Sequence, residues 1–196
     1  LVTVRGVDDD ESDGDQSYRI VLGADNGTTD SGYRGLDPSD VVLQNTDDDS
    51  AGFNISAVSR DTEEYGQQAS FTIWLKSQPS DNVTITLKSS DESEGSVSPD
   101  NHTFTSLNWN SHKRFTVTGV DDQINDGRQQ LTIILSGDNA TGDLAYRDVD
   151  PADVVVYNQD NEAASIVLSP STSSTNRLEV NESGSESTLR VRLSRP

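Results

Sequence analysis

Residues 8–15 read Asp8-Asp9-Asp10-Glu11-Ser12-Asp13-Gly14-Asp15, and six of these eight side chains are carboxylates. Close carboxylates repel by about 1 kcal/mol per pair in water and by several kcal/mol in a partly buried loop. A hard divalent cation relieves that repulsion, and calcium takes roughly six to eight oxygen ligands, carboxylates prominent among them. Asp47-Asp48-Asp49 supplies a second acidic string. A solvated loop is the alternative, since charge runs usually face water. Recurrence weighs against it. Val120-Asp121-Asp122 with Asp126-Gly127 repeats Val7-Asp8-Asp9 with Asp13-Gly14, and Asp160-Asn161-Glu162 stands where Asp47-Asp48-Asp49 does.

The recurrence runs at a fixed offset of 113 residues without a gap. It carries Ile20 and Leu22 onto Ile133 and Leu135, Tyr33-Arg34 onto Tyr146-Arg147, Asp37-Pro38 onto Asp150-Pro151, and Asp40-Val41-Val42 onto Asp153-Val154-Val155. A shorter match, offset by 118 residues, sets Glu64 with Phe71, Ile73 and Leu75 against Glu182 with Leu189, Val191 and Leu193. A fixed internal period is the mark of repeat architecture. The chain therefore divides into residues 1–49, the C-terminal half of one repeat; 50–162, a complete repeat; and 163–196, the N-terminal part of a third. It reads as a window on a longer tandem array, whose modules contact mainly their neighbours.

The elements that must position these acids are strands. Within the complete repeat, apolar residues alternate with Thr and Ser over 70–76, 83–87, 114–120, 131–135 and 154–157, and Phe71, Ile73 and Leu75 share one face. Weaker runs at 52–58 and 102–105 bring the expected count to about seven short strands, with no helical period. Residues 60–68 and 89–101 read as polar loops. Leu1 to Val7 continues the same alternation into the first acidic stretch. This is the profile of an all-β fold of tandem Greek-key, immunoglobulin-like β-sandwich modules. Trp74 lies opposite Phe71, Ile73 and Leu75, so it can be exposed and meet a ligand; packing is the commoner role for it and for Trp109.

The totals bound the function. With 34 acids against 14 bases the net charge is -20, which repels nucleic acid and anionic membranes. The hydrophobic content of 31% is low, but its concentration in alternating runs favours small β domains over disorder. The absence of cysteine excludes disulfides and thiolate metal sites, leaving bound calcium as a staple for small domains. No apolar run is long enough to span a membrane as a helix.

An EF-hand is excluded. Counting from Asp9, the twelfth position is Ile20, the second copy has Ile124 at the third, and the flanks are strands. The stretches Val7-Asp8-Asp9-Asp10-Glu11-Ser12-Asp13-Gly14-Asp15-Gln16-Ser17-Tyr18 and Thr46-Asp47-Asp48-Asp49-Ser50-Ala51-Gly52-Phe53 resemble the Calx-β domain family, in particular the Calx-β-like repeats of large bacterial surface proteins. The resemblance covers essentially the whole chain as one complete and two partial modules, on motifs of moderate specificity. It implies a cluster of Ca2+ at the distal end of each sandwich. The implied ligands are Asp8, Asp9, Asp13, Asp47, Asp48 and Asp49 in the first module, and Asp121, Asp122, Asp126, Asp160 and Glu162 in the second. The family's acid near the first strand matches Glu64, and Glu182 in the third piece; Asp91 is a weaker candidate. The second site departs from the first, because Asp10, Asp15 and Asp48 become Gln123, Arg128 and Asn161. Fewer carboxylates lead us to expect the stronger site at Asp8. Asp37, Asp40, Asp150 and Asp153 fit turn chemistry instead.

Three function classes follow. The chain can be an extracellular or cell-surface stalk or adhesin segment stiffened by calcium at its junctions, with neighbouring repeats as partners and a cell-surface or glycan ligand as a further candidate. It can be a calcium-sensing regulatory module of a larger membrane-associated protein. A glycosidase using paired carboxylates is the third. The acids recur by duplication, as ligands would, and no Ser-His-Asp or Cys-His arrangement stands out, so we expect no enzyme. Asn26, Asn54, Asn82, Asn101, Asn139 and Asn181 lie in Asn-X-Ser/Thr sequons; chance explains most of them in a chain of this composition, and some could carry sugar in a secreted protein of a glycosylating source.

Overall fold

The computed structural model describes residues 1–137, 139–169, 182–184 and 188–193. Among them every regular element is a strand. The central portion is a β-sandwich. One sheet has four strands, β3 (Phe53–Ile55), β5 (Gln68–Leu75), β9 (Lys113–Gly119) and β7 (Gly95–Ser98), in that spatial order. The other has five, β4 (Thr62–Glu63), β11 (Val154–Gln159), β10 (Gln129–Ser136), β6 (Val83–Ser89) and β8 (Asn101–Phe104). The pairs are antiparallel except β4 with β11, which run parallel.

Alternation places the core. Phe71, Ile73 and Leu75 of β5 and Phe115 and Val117 of β9 face Val83, Ile85 and Leu87 of β6, Leu131, Ile133 and Leu135 of β10, and Val154 and Val156 of β11, all buried. Phe71 and Phe115 stack with centroids 5.7 Å apart. A fully buried side chain of this kind contributes about 1.5–3 kcal/mol, so the period-two pattern alone dictates which face of each strand turns inward. Trp109 is half-buried against this core. Trp74 points the other way, half-buried, with its indole 3.9 Å from the parallel ring of His112.

A strand forms in each stretch read as one within the complete repeat, and two more join them, so among the described residues the sandwich has nine strands rather than about seven. β4 and β7 fall in stretches read from sequence as polar loops. Their pairing is decided by neighbours rather than by hydrophobicity: β7 pairs with β9 from Gly95↔Gly119 to Ser98↔Thr116, and Thr62 is buried, its hydroxyl donating to Asn158 Oδ1 at 3.0 Å. Gly95 sits so close beneath Leu131 and the Thr118 carbonyl that a β-carbon there would meet them at 2.8 and 3.3 Å.

Outside the sandwich, β1 (Gln16–Ile20) and β2 (Val41–Asn45) form a two-stranded antiparallel sheet, and so do β12 (Ile166–Ser169) and β13 (Arg190–Leu193). The register of β1 on β2, Gln16↔Asn45 through Ile20↔Val41, returns 113 residues later as Gln129↔Asn158 through Ile133↔Val154. Residues 1–7 are not a strand, contrary to the expectation from their alternation. They align with residues 114–120, whose strand β9 is held between β5 and β7, while no strand among the described residues pairs with 1–7. Tyr33 is 69% exposed, while its counterpart Tyr146 is 1% exposed beneath the turn at Ser77.

Candidate metal centres

The acidic loops are shaped by local chemistry that recurs in both copies. Gly14 and Gly127 each adopt the left-handed region, φ 78° and 79°, which costs a side-chain-bearing residue about 1 kcal/mol or more. The turn aims the glycine N–H at the second acidic string. Gly14 donates to Asp47 Oδ2 at 2.6 Å, and Gly127 to Asp160 Oδ2 at 2.8 Å. The other carboxylate oxygen of each aspartate accepts an N–H two residues on, from Asp49 at 2.9 Å and from Glu162 at 2.5 Å. Asn45 Nδ2 donates to the Val7 carbonyl and Asn158 Nδ2 to that of Val120, at 2.9 and 3.1 Å. A β-carbon on Gly6 or Gly119 would collide with those asparagines. Strings 33 residues apart in the chain are thereby held side by side at one end of a strand pair.

In the sandwich, this end gathers two acid triads. Glu64, Asp160 and Glu162 each place a carboxylate oxygen within 4.8 Å of the other two, and so do Glu94, Asp122 and Asp126. Glu64 is 6% exposed. Its carboxyl is pushed up to about 7, first by burial, then by the hydrogen bond its protonated form donates to Glu162 and by the negative charges of Glu162 and Asp160, against the lowering effect of the Asn161 N–H. Burial also raises Glu94, with the charges of Asp126 and Asp122 adding to it and Asn158 Nδ2 opposing it from 3.3 Å. Asp160 moves the other way, because the N–H groups of Glu162 and Gly127 stabilise its charge. Asp121 accepts Asn161 Nδ2 at 2.9 Å. The donor set suits a hard cation: carboxylates only, and in two of them, Glu64 and Glu94, burial and neighbouring acids disfavour the anion that a positive charge would stabilise.

The first copy has a different shape. Asp8, Asp9, Asp13, Asp47, Asp48 and Asp49 line one open hollow of about 180 Å³ together with Gly6, Gln16 and Asn45. Asp49 is raised by burial and by the charges of Asp47, Asp48, Asp10 and Asp8, so the two strings face each other here as well. No three of these carboxylates close to within 4.8 Å among the described residues. The tight grouping therefore lies in the sandwich, not at Asp8, where the sequence led us to expect the stronger site. The front of the sandwich contributes Glu64 and Glu94, and no acid from outside the two strings joins the Asp8 hollow among the described residues. Glu182 lies exposed in the turn at 182–184 and belongs to no such group among the described residues.

Glu94 escaped the sequence reading because residues 79–113 occur once in the chain, so no second copy marks it. It ends the loop before β7, and its carbonyl accepts the Val120 N–H at 3.0 Å, which fixes it beside Asp122. Asp91 instead builds the preceding turn, accepting the Ser93 N–H and hydroxyl at 3.0 and 2.5 Å. Asp40 and Asp153 close loops as expected, accepting the N–H groups of Leu22 and Leu135 at 3.0 and 2.9 Å.

The departures between copies also have a local logic. Gln44 Nε2 donates to Asp15 Oδ2 at 3.0 Å. Their counterparts are Tyr157 and Arg128, and the Arg128 guanidinium lies 3.5 Å over the Tyr157 ring while its Nε and Nη2 donate to Asp61 at 3.1 and 2.9 Å. Asp61 is lowered by Gln159 Nε2 and by Arg128. It is neutralised by a resident cation and stands outside the triads.

No family model and no curated protein sequence matches the chain. Solved structures similar to it include WR4, a member of the MSP family of Caenorhabditis elegans, at 11% identity and TM-score 0.35 over 55% of this chain and 96% of that one. SSP-19, an MSP-domain-like protein of the same organism, gives 13% identity and TM-score 0.35 over 54% and 98%. Domains 4 and 5 of the S-layer protein SbsC give 15% and 0.30 over 74% and 75%. Scores at this level bear on no residue of the site. Among the described residues no helix is long and apolar enough to cross a membrane.

Proposed function

We propose that the chain is a calcium-binding segment of an extracellular, Calx-β-like tandem-repeat protein, acting as a structural stalk or adhesin segment. In this reading Glu64, Asp160 and Glu162 hold one ion and Glu94, Asp122 and Asp126 a second, with Asp121 at hand. The Asp8 hollow takes the equivalent cation in the first module. The ion supplies positive charge that lets these carboxylates sit together, and the protein's part is to hold them there. Because each cluster lies beside the linker to the next module, binding stiffens the junction. The reading assigns no catalytic step to these acids.

One observation carries it: acids from four separated segments, at residues 64, 94, 122–126 and 160–162, converge at one end of the sandwich, where burial and mutual repulsion push Glu64 to about 7. Evolution of a solvated surface has no need to bury carboxylates against one another. The test is thermal unfolding of the 196-residue chain in calcium and in chelator. A ligand bound only by the folded state at 100 times its dissociation constant adds about 2.7 kcal/mol. An unchanged melting temperature at millimolar calcium would overturn the proposal. Binding in the micromolar range would favour the sensor over the stalk, whose extracellular modules bind at about 0.1–1 mM.

A further inference from the structure

The acid triads lie at the end of the sandwich where Gln68 of β5 pairs with Thr118, beside the acidic loop that follows β9. β5 runs from there to Leu75, so the turn at residues 77–82 is at the opposite pole. That pole is not bare. The Gln78 N–H donates to the Asp10 carbonyl at 2.6 Å, and Glu11 forms a parallel bridge with Gln78. Glu11 and Ser12 are half-buried, while Asp8, Asp9, Asp10 and Asp13 around them are exposed.

The turn that receives the loop is braced from within. Tyr146 Oη donates to the Ser77 carbonyl at 2.7 Å and accepts the Ser77 N–H at 3.0 Å, both buried. Gln78 Nε2 donates to the Ser106 carbonyl at 3.2 Å. The Gln78 N–H is left aimed outward at the loop. The linker enters at the same pole, where the Lys76 N–H donates to the Gly52 carbonyl at 2.9 Å, three residues after Asp49.

We propose that the pole of each sandwich opposite its acid triads is a docking surface for the acidic loop of the preceding module, with the Gln78 main-chain N–H as its anchor. The loop then faces two ways. Its carboxylates turn to Asp47–Asp49 and its Asp10 carbonyl to the next module, so a cation in the hollow and the docking bond order the same few residues. The docking stands without any ion; its coupling to calcium rests on the function proposed above.

The test is amide hydrogen exchange of Gln78 by NMR on the whole 196-residue chain, in chelator and in calcium. Docking requires exchange at least about tenfold slower than an open amide, and coupling requires further slowing with calcium. Open-amide exchange in both conditions overturns the docking, even where calcium raises the melting temperature and so upholds the metal sites. Slow exchange in both with no calcium response upholds the docking and overturns the coupling. A second measurement uses the absence of native cysteine. Spin labels on Val42→Cys and Lys88→Cys give a narrow distance distribution if the surface holds. Gln78→Ala keeps the N–H and leaves that distribution narrow, whereas Gln78→Pro removes the donor and broadens it. Equal distributions in Gln78→Pro and Gln78→Ala overturn the proposal.

Discussion

Gly127 donates its backbone N–H to Asp160 Oδ2 at 2.8 Å, across 33 residues of chain. With the Glu162 N–H on the other oxygen, this fixes the Asp160 carboxylate against Glu64 and Glu162. Asp160→Ala removes both a proposed ion ligand and the tie between the two acidic strings. We expect roughly tenfold or greater loss of calcium affinity, read by calorimetry. Asp61→Ala, which breaks the Arg128 contact at the same end of the sandwich, should leave affinity near that of the parent.

The Glu64 carboxyl gives a pH dependence with a definite sign. Its ordinary value is 4.5 and burial and neighbouring acids push it to about 7 in the folded chain. The folded state therefore holds the proton more tightly than the unfolded one. This contribution to stability is complete below about pH 4.5 and is lost as pH rises through 7. In chelator, the melting temperature should fall between pH 5 and 8. Glu64→Gln should flatten that fall and raise the melting temperature at pH 8, while weakening the response to calcium. A parent melting temperature that climbs from pH 5 to 8 in chelator would contradict the assignment.

The strands were legible wherever one face is buried. Phe71, Ile73 and Leu75 alternate because the core accepts every second residue, and the register of β10 on β11 follows from the same pattern. β4 and β7 were not legible, since Thr62 and Gly95 are placed by partners distant in sequence. Duplication exposed the loop acids at 121–126 and 160–162, but it could not expose Glu94, which has no second copy. The reverse error came from residues 1–7, whose alternation is intact but which pair with no strand among the described residues.

Arg128 replaces Asp15 of the first copy, and its ring partner Tyr157 replaces Gln44. An exposed cation–π contact contributes about 0.5–1 kcal/mol. Arg128→Ala should lower stability by about that much in urea unfolding and raise the Asp61 carboxyl, which Arg128 now helps to hold down. Lys at this position should recover little, because it cannot span ring and carboxylate with one planar group. Full recovery by Arg128→Lys would show that charge alone matters there.

Tyr146 and Tyr33 occupy the same place in the repeat and should answer the same substitution differently. The Tyr146 hydroxyl is buried and serves three atoms of Ser77, its N–H, carbonyl and Oγ. Removing it with Tyr146→Phe leaves buried backbone groups unpaired, which costs about 1–3 kcal/mol. Tyr33 is 69% exposed, and its hydroxyl has water to bond, so Tyr33→Phe should stay within about 0.5 kcal/mol of the parent. Urea unfolding of the two variants measures both. Because Ser77 precedes the Gln78 anchor, Tyr146→Phe should also speed amide exchange at Gln78, and Tyr33→Phe should not. Equal costs for the two variants would mean that the turn at residues 77–82 does not depend on the tyrosine brace.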